Sequence, residues 1–206
     1  MAGKERVIMD VDVIDTLVGI EPGSALDAIR NRRPTAREQA QASYRALFEP
    51  EGAGEMSLME RFAVAVFVVG LHGGAPETAA HYAAGLTTSG ASVELRAAID
   101  GAITAAKGQG PYGSYPAGPL SREDAPGPTH RIAADSRQVL GPRLAAAFDH
   151  TRLLVFHPRD AAPTALQALL DAGWSTTGIV TLSQIVAFLS FQIRVVAGLR
   201  ALAAAN

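Results

Sequence analysis

Apolar residues along this chain recur at the three- and four-residue spacing of helices, and the polar residues between them supply starts and stops. Residues 24–33 read as a short helix capped by Ser24 and ended by Pro34. Residues 35–48 form a stronger pattern: Thr35 and Glu38 fit a capping box, and Ala40, Tyr44, Leu47 and Phe48 lie near one face. Ser57-Leu58-Met59-Glu60 is a second capping box. The apolar run 62–71 behind it reads as a helix, although its valines also suit a buried strand. Gly73 and Gly74 stop that run, and Pro76 opens the next helix, 76–86. Ser92 caps a further helix over 93–107, whereas residues 1–22 carry no regular signal.

The stretch 108–130 is rich in Gly and Pro and reads as a linker or long functional loop. After it, Pro142 begins a helix that runs to Phe156, and His157-Pro158 ends it. Asp160 caps a helix over 163–172 that Gly173 closes, and Thr181 starts the longest helix, ending near Ala204. Thr181-Leu182-Ser183-Gln184 echoes Ser57-Leu58-Met59-Glu60, each followed by an alanine three residues on (Ala187, Ala63). This weak repeat suggests two related helical halves, 1–107 and 131–206, joined by the loop in one all-α domain spanning 1–206. Arg194 and Arg200 interrupt the last helix, and its uncharged run 185–193 is too short to cross a bilayer, so a core or interface helix is expected and no membrane contact.

Composition narrows the function classes. Hydrophobic residues make up 48% and aromatics only 6%, with alanine dominant, which favours close-packed helices over a sandwich. A net charge of −2 gives no general electrostatic reason to bind nucleic acid. The chain has no cysteine, which removes disulfides, thiolate metal sites and any sulfur nucleophile. The N-terminal MAGKERVIMDVDVID carries acids where an export signal needs an apolar core, so a cytoplasmic location is expected.

Several stretches resemble the carboxymuconolactone decarboxylase and alkylhydroperoxidase D superfamily. MSLMERFAVAVFVVGLHGG is similar to the helix leading into that family's Cys-x-x-Cys-x-x-x-His motif, and His81 matches the motif histidine. HPRDAAPTALQALLDAGWSTTGIVTLSQIVAFLSFQIRVVAGLRAL, DVIDTLVGIEPGSALDAIRNRRP and QASYRALFEP resemble a cysteine-poor branch of the same group. The resemblance implies an all-helical fold and homo-oligomeric assembly. The family's peroxidases use the two motif cysteines as a thiol relay, with a glutamate and the histidine moving protons. Here Gly74 and Glu77 occupy the cysteine positions and Phe62 the place of the glutamate, so thiol peroxidase chemistry is not expected. What remains is a small organic ligand handled by cofactor-free acid/base chemistry, or an inert subunit that associates with itself or with a cysteine-bearing relative.

Glu77 and His81 stand at i and i+4 on a predicted helix and are the candidate catalytic pair, the carboxylate raising the basicity of the imidazole. His72 reads as a cation at a helix C-terminus. His150 and His157 share a helix face, but no third or fourth ligand accompanies them, so no metal or other cofactor is expected. Asp10-Val11-Asp12 with Asp15-Thr16 is similar to a phosphotransfer loop but fails on spacing. Tyr112 and Tyr115 are candidates for a lid, Arg194 for a side chain with a wet head, and Trp174 for a packing anchor.

Overall fold

The computed structural model describes residues 11–52 and 54–205; the N-terminal stretch read for export, and Asp10, lie outside them. The described residues are all-α. They form α1 (Val13–Val18), α2 (Ala25–Asn31), α3 (Pro34–Phe48), α4 (Leu58–His72), α5 (Pro76–Thr88), α6 (Val93–Ala106), α7 (Ala134–Phe156), α8 (Pro163–Asp171) and α9 (Thr176–Ala204).

Helix α4 is the hub, packed against α5, α6, α7 and α9. Its Phe62, Val64, Phe67, Val68, Val69 and Leu71 are all buried, so it is apolar around its whole circumference, as a core helix must be. That explains why its valine run gives no helical face in the sequence. Phe67 stacks on Phe148 of α7, with ring centroids 4.2 Å apart, and each such buried ring contributes about 1.5–3 kcal/mol. Helix α5 approaches α4 closely because residue 85 is glycine: a Cβ there would sit 2.1 Å from the Phe62 ring.

The helix starts follow their caps in part. Ser57 and Glu60 form the expected capping box, and Ser24 and Ser92 cap as read. Four starts differ. Pro34 does not merely end α2; it opens α3 at its first position, so Thr35 is no cap. Asp160 belongs to a short 3-10 turn, and α8 begins after Ala162. Helix α7 begins at Ala134 and is broken at Gly141, whose φ of 75° interrupts it before Pro142 starts the second segment. Helix α9 is capped by Ser175, so Thr181 lies inside it, bonded to the carbonyl of Thr177. The Ser57/Thr181 correspondence therefore does not pair two helix starts.

Residues 11–22 are ordered around charge. Asp12 caps α1, Asp15 pairs with Arg30 and Arg37, and Arg37 also reaches Asp27. Of the acids that suggested a phosphotransfer loop, Asp12 and Asp15 are thus occupied by arginines. The 108–130 loop is tied down rather than free: Tyr112 donates its backbone N–H to the Phe156 carbonyl, its ring lies 5.2 Å from that of His157, and Tyr115 sits under Arg159. Trp174 is buried, donates to the Arg143 carbonyl at 2.9 Å and lies beneath the Arg143 guanidinium. Helix α9 is long and apolar enough to cross a membrane by length and composition, but half of its apolar window is buried in the fold.

Candidate functional site

The segment 73–81 forms the turn between α4 and α5. Gly73 closes α4 and Pro76 opens α5. The turn borders an interhelical cavity of about 310 Å³ lined by Val66, Gly74, Ala79, Ala83 and Ile103, with Lys107 at its rim. Ala79 and Ala83 stand one turn apart, so they face it together; His81, two residues beyond Ala79, projects from the other flank of α5.

His81 therefore meets α3. Its Nε2 lies 2.9 Å from the Tyr44 hydroxyl, and its ring packs edge-on to Tyr82. Burial pushes the His81 pKa below its ordinary value, against a smaller upward pull from Glu49. Burial also pushes Tyr44, with help from Glu49, up to about 12. Both groups are neutral near pH 7, a phenol and an imidazole sharing one proton-bearing contact. The His81 Nδ1 makes no hydrogen bond among the described residues.

Glu77 goes elsewhere. It is exposed, accepts from Arg200 of α9 at 2.6 and 3.1 Å, and has its pKa lowered by backbone hydrogen bonding at the helix start and by Arg200. The structure thus separates the two members of the expected pair: the i, i+4 spacing puts them near one flank, but each finds its partner on a different neighbouring helix. The carboxylate whose charge His81 feels is Glu49, at the end of α3. Sequence reading missed Tyr44 and Glu49 as partners, because nothing local links positions on α3 to one on α5.

The other histidines differ from one another. His72 reaches Ser190 of α9 at 3.1 Å, and burial lowers its pKa, so it acts as a neutral bridge rather than as the expected cation. His157 donates from Nε2 to the Pro128 carbonyl and faces Asp160 through Nδ1, while His150 turns to a cavity beside α8. The two do not converge, and no cluster of three metal-ligating side chains occurs among the described residues. Arg194 is exposed and bonds the Ser190 carbonyl on its own helix. Glu60 serves its capping box and also accepts from Arg143 at 2.6 Å. Buried beneath His81, Tyr82 donates to Gln192 at 2.6 Å, joining α5 to α9.

Comparison with family models, curated proteins and solved structures finds no match to this chain.

Proposed function

We propose that this chain is a non-thiol member of the carboxymuconolactone decarboxylase and alkylhydroperoxidase D group, with that group's two-halved helical architecture. In this reading it binds a small organic molecule and handles protons through His81 and Tyr44 rather than through His81 and Glu77. The observation that carries the reading is the Tyr44–His81 hydrogen bond, held in a half-buried aromatic setting with the outer ring nitrogen uncommitted. A neutral imidazole accepts a proton from a substrate at Nδ1, and its Nε2 proton finds an acceptor in the Tyr44 oxygen, which also fixes the ring. Glu49 stabilises the imidazolium that forms.

The reading is tested by following the His81 imidazole resonances, and turnover, against a panel of small lactones and organic acids. A binder should shift those resonances. His81→Ala should abolish turnover, Tyr44→Phe should lower it about tenfold, and Glu77→Gln should leave it unchanged. If no member of the panel moves His81, or if His81→Ala turns over normally, the reading fails.

A second reading, an inert subunit that associates with a second copy of itself, is favoured by one observation. Val180, Ala187, Phe191 and Gly198 stand exposed on α9, and their spacing keeps them on one stripe of the helix.

A further inference from the structure

A second cavity lies away from α5, where α8 and the segment before α7 meet the second half of α7. It encloses about 660 Å³, a size typical of pockets for small organic ligands. The two histidines on its wall are unusual. His150 is 6% exposed and His130 is half-buried, and neither ring makes a hydrogen bond among the described residues. Nδ1 of His150 and Nε2 of His130 are buried without a partner. Those two atoms are closed to solvent, so the opposite ring nitrogens, Nε2 of His150 and Nδ1 of His130, which are also without a hydrogen bond, are the ones open to a ligand.

The charges on the wall indicate which chemistry fits. Asp149 is fully engaged: one oxygen accepts from the Ile132 N–H at 2.8 Å and the other pairs with Arg137, which also donates to the Ile132 carbonyl. This knot pins the segment carrying His130 and Arg131 against α7. Asp171 accepts from Gln167 at 2.8 Å. Arg131 alone among the charged lining groups has no hydrogen-bond or ion-pair partner among the described residues. Its guanidinium fork suits a carboxylate, and Ala146, Leu153, Ala165 and Ala168 give the rest of the wall an apolar surface.

We propose that this cavity is a binding site for a small organic acid, its carboxylate held by Arg131 with the His130 and His150 imidazoles and its apolar body lying against α8. The site does not depend on the family reading or on His81.

The test uses the full-length, isotope-labelled chain and observes its histidine side chains by NMR during titration with benzoate, cyclohexanecarboxylate and the neutral analogue benzamide. The carboxylates should shift His130 and His150 saturably while leaving His81 unmoved, and benzamide should bind at least about tenfold more weakly, the difference a charge-assisted pair makes. Arg131→Gln, at an exposed position, should weaken benzoate to the level of benzamide. Ala168→Trp, also at an exposed position, should fill the cavity and abolish the shifts. Silence of both histidines toward both carboxylates overturns the proposal, as does equal binding of benzoate and benzamide or an affinity for benzoate that Arg131→Gln does not change.

Discussion

At the scale of single residues, buried polar groups decide more than their number suggests. Tyr82 and Gln192 are both fully buried, and the hydrogen bond between them satisfies the phenol and the amide oxygen, leaving the Gln192 amide nitrogen unpartnered. Tyr82→Phe removes the donor and leaves the whole amide unsatisfied, so it should cost about 1–3 kcal/mol in urea unfolding. Tyr82→Phe combined with Gln192→Leu removes both polar partners and should recover most of that loss; a double variant no more stable than the single one would show that packing, not hydrogen bonding, governs the position. Three arginines act in a related way. Arg61 is buried and donates to the carbonyls of Ala46, Leu47 and Met56; Arg152 is buried and ties Ala106 to Pro128. Arg143 gathers Glu55, Glu60 and Gly173. None of these was legible in the sequence, since apart from the Glu60 carboxylate the partners are backbone carbonyls, which any residue supplies.

At the scale of elements, caps and breakers were read well where the signal was local. Ser57 with Glu60, Gly73, Pro76 and Ser92 sit where their chemistry requires. Thr181 misled because a Thr-x-x-Gln spacing also occurs inside a helix, where the hydroxyl bonds back to the previous turn. Helix α9 is the element whose two sides differ most: Leu182, Ile185, Leu189 and Ile193 face the core, while Val180, Ala187, Phe191 and Gly198 face outward. Should that outer stripe pair with a second copy about a twofold axis, Phe191 would rest against the small residues of its partner. Light scattering at micromolar concentration should then report a dimer for the native chain and a monomer for Phe191→Glu. A monomeric native chain rejects the self-association reading without touching the ligand-binding one.

At the scale of the whole molecule, four histidines share one electrostatic direction. His72, His81, His130 and His150 all have pKa values pushed below 6.5, first of all by burial. In the unfolded chain they return to about 6.5, so below that pH the unfolded state binds more protons than the native one. Their contribution to stability is fully present above that value and is lost as pH falls toward the lowered folded values. The urea midpoint should therefore drop between about pH 7.5 and 5, a window above the range in which the lowered carboxylates Asp27 and Asp160 titrate. An unchanged midpoint across that interval would contradict this account.

The sequence alone determined the all-α class, most helix stops, the face of α3 that is buried and the lack of any cysteine thiol, because helical periodicity, capping and composition act over a few neighbouring residues. Tertiary structure alone decided that Glu77 belongs to Arg200, that His81 belongs to Tyr44, and that His130 and His150 share a cavity. Those pairings depend on which helix flank meets which neighbour across distant parts of the chain, and a side chain's partner is set by that meeting rather than by its spacing along its own helix.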